Sequence, residues 1–231
     1  MTLNNIITTP TYTLKLPVSG KDIKYRPFLV KDEKILLLAQ NESDTKNRIE
    51  SVKQVLRNCI LTEVDLDNLP ITDIEFIFLH TRMKSKGEVI NLINTCKDCK
   101  EKKAIAFNLN EVKVQNNKKI DNKIMISDTV GIVLQYPTFT TAEKFATLDE
   151  GDNIKFIANC IECVFSGDKV YDSKTTTPEE YVEFLDKLEI SQFKQLIEFF
   201  ENLPRLLGVI EYDCKCGKHI KIELEGLSNF L

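Results

Sequence analysis

Ile23-Lys24-Tyr25-Arg26-Pro27-Phe28-Leu29-Val30-Lys31-Asp32-Glu33-Lys34 decides how the chain is organised, because it is echoed past the middle. The echo is Val133-Leu134-Gln135-Tyr136-Pro137-Thr138-Phe139-Thr140-Thr141-Ala142-Glu143-Lys144. In each stretch a short apolar strand ends at a proline, and a turn then leads to a Glu-Lys step into a helix. The spacing from proline to glutamate is the same in both. Four elements recur in the same order from these points, which argues for an internal duplication rather than a chance likeness. The first copy continues through Ile49, Val52, Leu56, Cys59 and Ile60 on one helical stripe and reaches Asn58-Cys59-Ile60. The second carries Ile154, Ile157, Ile161 and Val164 on a similar stripe and reaches Asn159-Cys160-Ile161.

A second helix start follows in each copy. Thr72-Asp73-Ile74-Glu75 and Thr177-Pro178-Glu179-Glu180 both read as capping boxes, the latter with proline at the favoured first helical position. The second copy adds a helix with Ser191 as expected N-cap and Phe193, Leu196, Ile197 and Phe200 as its buried stripe, stopping near Pro204. Each copy closes on a hairpin of alternating apolar residues. Cys96-Lys97-Asp98-Cys99 stands at the tip of one and Cys214-Lys215-Cys216-Gly217 at the tip of the other. The expected fold class is therefore α+β, with two pseudo-repeated lobes, 1–114 and 124–231, joined by a polar linker at 115–123. Each lobe has short antiparallel strands, a helical insert and a cysteine-bearing, zinc-ribbon-like hairpin.

The cysteine pairs are the sharpest chemical signal. Cys96-x-x-Cys99 on a hairpin has the spacing of a zinc knuckle, in which two thiolates bind one face of a tetrahedral ion. The Cys214-x-Cys216 pair is tighter, with Gly217 free to turn left-handed after it. Together they supply four thiolates, which close a structural site and leave no position for substrate. His219 is the alternative to Cys216 if the one-residue gap is too tight. The competing readings are free thiols packed in hairpins or a redox dithiol, although no βαβ pattern accompanies the pair. On the zinc reading, Cys96, Cys99, Cys214 and Cys216 form a clasp between lobes. Cys59, Cys160 and Cys163 fall on expected helices, where buried cysteine acts as a small hydrophobe.

Seven cysteines are an odd number, which argues against a complete disulfide framework, and Met1–Asn5 lacks the basic start and apolar core of a secretory signal. A reducing compartment follows as the expectation. No run approaches the roughly 18 apolar residues that span a bilayer. A net charge of −4 disfavours broad electrostatic binding to nucleic acid. Lys97, Lys100, Lys102 and Lys103 cluster at the first tip, diluted by Asp98 and Glu101. The eight glycines are scattered, and neither a phosphate loop, HExxH nor GxSxG occurs. His80, expected on the Phe76–Met83 helix, reads as a satisfied or surface residue. Arg82-Met83-Lys84-Ser85-Lys86-Gly87 reads as the basic end of that helix with Gly87 as its cap. A non-enzymatic protein is expected, without catalytic residues.

The segments Leu16-Pro17-Val18-Ser19-Gly20-Lys21 and Tyr25 to Lys34 resemble the N-terminal signature of the baseplate hub subunit family of T4-like contractile-tailed bacteriophages. Asp73–Leu79, Arg82–Glu88 and the closing Leu224–Phe230 fit the same pattern. The resemblance implies a structural or assembly protein of the tail baseplate hub, acting through other hub and tail proteins. It places the protein in the host cytoplasm during assembly, and leaves open whether it stays in the virion baseplate. It carries no catalytic residue and does not settle zinc.

The alternative function is a zinc-ribbon regulator that binds nucleic acid. It predicts binding that weakens steeply with salt and with neutralisation of Lys97, Lys100 and Lys103. A flat response in a salt-series titration ends that alternative.

Overall fold

A computed structural model gives the fold and describes residues 7–42, 44–116, 120–145 and 153–226. Met1–Asn5, residues 117–119 of the linker and Leu227–Phe230 of the closing motif lie outside them. In chain order the elements begin with β1 (Tyr12–Lys15), β2 (Asp22–Tyr25), α1 (Val30–Gln40), α2 (Thr45–Cys59) and α3 (Ile71–Lys86). Then come β3 (Val89–Thr95), β4 (Lys102–Asn108), β5 (Lys113–Gln115), β6 (Lys123–Met125), β7 (Val130–Leu134), α4 (Phe139–Phe145) and α5 (Asn153–Asn159). The chain ends with β8 (Ile161–Ser166), β9 (Lys169–Asp172), α6 (Pro178–Leu185), α7 (Ile190–Glu201), β10 (Arg205–Asp213) and β11 (His219–Leu224). The fold is α+β, and its described sheets are small and antiparallel.

The chain packs as two units. The first comprises the chain up to Leu66, Thr72–Gln115 and the chain from Arg205 onward; the second comprises Asp67–Ile71 and Asn116–Pro204. This differs from the expected lobe at 124–231, because the closing hairpin β10–β11 lies in the first unit. The reason is a long-range pairing: β10 runs antiparallel beside β5, with Arg205 opposite Gln115 and Leu207 opposite Lys113. Gly208 then faces the Phe107 ring of β4, which stands 3.0 Å from where a Cβ would be. A side chain there would require that ring to give by a few tenths of an ångström.

The first unit is organised around two buried carboxylates. Asp32 is fully buried and accepts from Arg26 Nη1 at 2.7 Å, the Leu29 amide at 2.9 Å and Asn58 Nδ2 at 3.1 Å. It thereby ties the end of β2, the start of α1 and the last turn of α2 to one point. Asp73, near the start of α3, accepts from the amides of Val18 and Ser19 at 2.9 Å each and holds the β1–β2 turn. Burial raises the Asp32 carboxyl, but the bonds from Arg26, Leu29 and Asn58 outweigh it, leaving its pKa below the ordinary 3.8. Around these groups, Ile23 and Tyr25 of β2, Val52, Val55 and Leu56 of α2, and Ile74, Ile77 and Phe78 of α3 are buried. Each such side chain contributes about 1.5–3 kcal/mol of transfer free energy.

The second unit stacks the sheet β6-β7-β8-β9 with α5, α6 and α7. Its core holds Ile132 and Leu134 of β7, Ile157 of α5, Tyr181 and Leu185 of α6, and Leu196 and Phe199 of α7. Thr177 and Glu180 form the expected capping box, each side chain bonding the other's amide, with Pro178 opening α6.

Three expected local features differ. Helix α5 stops at Asn159, so Cys160 lies in a turn and Cys163 in β8 rather than on a helix. Helix α3 starts at Ile71, so Thr72 is a buried residue of its first turn rather than the residue before it. Helix α7 is preceded by Glu189, whose amide donates to Gln192 Oε1 at 2.8 Å, and Ser191 is already helical. By contrast, Gly87 caps α3 as expected, with φ +92° and its amide on the Met83 carbonyl at 3.0 Å.

Removing the Asp32 charge leaves the Arg26 guanidinium, with a side chain 11% exposed, without its partner. Asp32→Asn is expected to cost about 3 kcal/mol in urea unfolding, at the lower end for a broken buried pair. A carboxyl whose folded pKa is depressed contributes stability above its unfolded value and loses it as pH falls through the folded one. The wild type should therefore lose this contribution below pH 3.8, and the variant should show a shallower acid dependence.

Candidate metal centre

Two hairpin tips within the first unit build the site. In the β3–β4 tip the Cys96 amide donates to the Glu101 carbonyl at 2.9 Å, and the Lys100 amide to the Cys96 carbonyl at 3.0 Å. Lys100 sits at φ +60° to close this turn. In the β10–β11 tip the Cys214 amide donates to the Lys218 carbonyl, and Gly217 to Cys214, both at 2.8 Å. Gly217, at φ +85°, is left-handed as expected. Each tip thus turns left-handed at the residue after its second cysteine, the chain reversal that points both sulfurs of a pair the same way.

The sulfurs of Cys96, Cys99, Cys214 and Cys216 all lie within 4.8 Å of one another. Cys99 Sγ is 3.5 Å from Cys214 Sγ, and Cys96 Sγ is 3.9 Å from Cys216 Sγ. These contacts join residues 115 and 120 positions apart. A tetrahedron with metal–sulfur bonds of about 2.3 Å has edges of about 3.8 Å, so the spacing suits a Cys₄ zinc site. The Cys96 thiol is pulled down to about 7 because the Cys99 and Asp98 amides point at its sulfur. The Glu101 amide lowers Cys99 too, but the neighbouring thiols and burial push it up to about 12. Four such groups cannot all ionise side by side unless a cation compensates them.

Polar contacts reinforce the meeting of the tips. Lys215 Nζ reaches Glu101 Oε1, and Lys218 Nζ reaches Asp98 Oδ2, both at 2.7 Å and both from one hairpin to the other. Asn94 Nδ2 donates to the Tyr212 hydroxyl at 2.8 Å, and Lys103 Nζ lies 4.0 Å from the centre of the Tyr212 ring. The sequence reading missed this charge exchange and the role of Tyr212. Acidic and basic residues alternate at the first tip and lysines stand at the second, but that pattern alone does not say which hairpin holds the partner.

The remaining expected residues fall elsewhere. His219 Nδ1 is 2.9 Å from Asp213 Oδ1, and the residue is outside the thiol cluster. Cys59 and Cys160 are fully buried, and burial pushes each thiol up to about 12. Cys163 is half-buried in β8. His80 stacks edge-on to Phe76 at 4.4 Å within α3, and burial followed by the Lys84 charge lowers its pKa.

Four thiols would fill the coordination of a tetrahedral ion and leave no open position for a substrate. The chain matches the family described as T4 bacteriophage base plate protein over residues 9–231 and belongs to it. It is thus a structural and assembly protein of the phage baseplate, working through other baseplate and tail proteins, and not an enzyme. No curated protein and no solved structure matches the chain. Among the described residues, no helix is long and apolar enough to cross a membrane.

The left-handed turn at Gly217 has open space where a side chain would go. Gly217→Ala should therefore cost only backbone strain, about 1 kcal/mol, read as a lower denaturation midpoint.

Proposed function

We propose that this protein is an assembly subunit of the central baseplate hub, acting in the host cytoplasm, and that Cys96, Cys99, Cys214 and Cys216 bind one structural zinc. The convergence of four sulfurs from two distant hairpins within 4.8 Å supports the metal reading. Zinc would bind the chain from Arg205 onward to the unit formed by its first half. It would hold in place the strand pairing of β5 with β10, whose three paired residues make a short ladder. Such a clasp gives hub partners a fixed surface built from both ends of the sequence.

The same reading includes an internal duplication, with copies at 1–114 and 124–231. Each copy opens with a hairpin, β1–β2 or β6–β7, and passes through two helices. It then returns to its own second strand, with Tyr25 bridged to Ile60 and Leu134 paired with Ile161. The Arg26 amide donates to the Cys59 carbonyl at 2.9 Å, and the Gln135 amide to the Cys160 carbonyl at 2.8 Å. Strand end to helix start has the same spacing in both, Tyr25 to Val30 and Leu134 to Phe139. That spacing equates Pro137 with Phe28, one residue from the match of the prolines. It also equates the buried Asp32 with Thr141, whose hydroxyl lies 3.2 Å from that of Thr138. Repeats of sequence and units of packing then differ, because the second copy lends its closing hairpin to the first unit.

Affinity capture of the tagged chain from infected cells should recover other tail hub proteins. Recovery of none would remove the hub assignment. Elemental analysis of protein purified without chelator should find one zinc per chain, lost in a Cys96→Ser/Cys214→Ser variant. A metal-free wild type would remove the zinc.

A further inference from the structure

Two of the cross-hairpin sulfur contacts each join an exposed cysteine to a buried one. Cys99 is exposed and meets buried Cys214 at 3.5 Å; Cys216 is exposed and meets buried Cys96 at 3.9 Å. That is the arrangement of an attacking and a resolving thiol, duplicated within one site. We propose that the cluster is a redox-convertible clasp, in which a small-molecule disulfide expels the metal and leaves two disulfides, Cys99–Cys214 and Cys96–Cys216. This inference rests on the zinc reading and adds a regulation to it.

The chemistry balances. The Cys99 sulfur, held as a thiolate only while the metal compensates its charge, attacks one sulfur of the disulfide RSSR; its S–S bond breaks, and one RS⁻ leaves. Cys214 then attacks Cys99 Sγ in the mixed disulfide, forming the Cys99–Cys214 bond and releasing the second RS⁻. Cys216 and Cys96 repeat the sequence with a second RSSR. Four thiolates are oxidised, two RSSR are reduced to four RS⁻, and Zn²⁺ departs with no thiolate left to hold it. The exposed members give the reagent access, and the buried members face the mixed disulfide rather than solvent.

Pairing across the hairpins has a consequence that pairing within them lacks. Bonds Cys96–Cys99 and Cys214–Cys216 would free the two hairpins from each other once the metal left. The cross pairs instead replace a metal clasp by a covalent one between the same two tips. The ion pairs Lys215–Glu101 and Lys218–Asp98 hold those tips together while the exchange proceeds. The first unit thus keeps its closing hairpin under both reducing and oxidising conditions.

The test uses the full chain with its zinc content measured beforehand. It is incubated with excess oxidised glutathione, zinc release is followed with a chromogenic chelator, and the pairs are mapped by mass spectrometry after alkylation. One zinc released as four thiols disappear, with Cys99–Cys214 and Cys96–Cys216 as the bonds found, is the expected result. Cys99→Ser should retain the Cys96–Cys216 bond alone, and the buried Cys59 and Cys160 should stay reduced throughout. Zinc retained by the loaded wild type, or bonds within each hairpin, would overturn the proposal. A chain without zinc at the outset overturns the zinc reading itself, and with it the release.

Discussion

The meeting of two hairpin tips at four sulfurs is the constraint on which the first unit depends. Its first half supplies β3 and β4, and its last element, β10–β11, arrives only after the chain has built the whole second unit. Closing so long a loop is entropically costly, and what offsets it must act at the point of return. The β5–β10 pairing is short, and the ion pairs at the tips are largely exposed, where water and salt screen them. A metal bound by four thiolates is of a different order, because its binding free energy enters folding directly. The absence of a side chain at Gly208 leaves room for the Phe107 ring, 3.0 Å from where a Cβ would be, where the two hairpins approach.

The second constraint lies at the other end of the first unit, in Asp32 and Asp73. Both lie within the span matched by the family, residues 9–231. Asp32 can be fully buried only because Arg26, the Leu29 amide and Asn58 converge on it. Asp73 likewise requires the turn at Val18 and Ser19 to present two amides. Leu16–Lys21 thus supplies the two amides that Asp73 accepts, and Tyr25–Lys34 holds Asp32 together with Arg26 and the Leu29 amide. In a protein that works by presenting surfaces to others, such internal fasteners set the shape that partners meet.

Much of this was legible from residue order, and the exceptions have identifiable causes. The hairpins, the capping box at Thr177, the glycine cap at Gly87 and the left-handed Gly217 follow from local rules and stand where those rules put them. The end of α5 was hidden by a β-bulge. Glu162 is an extra residue between Ile161, opposite Leu134, and Cys163, opposite Val133. The bulge turns Ile161 and Val164 to the same buried face at a spacing of three, which imitates a helical stripe. Asp32 was hidden by its neighbours, since Lys31-Asp32-Glu33-Lys34 reads as a solvated helix start. The four cysteines could be named from spacing, but their convergence in one unit depends on strand pairings that no local pattern encodes.

X-ray absorption at the zinc edge on the full chain tests the central claim most directly. The account predicts a single zinc surrounded by four sulfurs at about 2.3 Å. A first shell containing nitrogen or oxygen would contradict the four-cysteine clasp, and absence of zinc from protein purified without chelator would contradict the metal altogether.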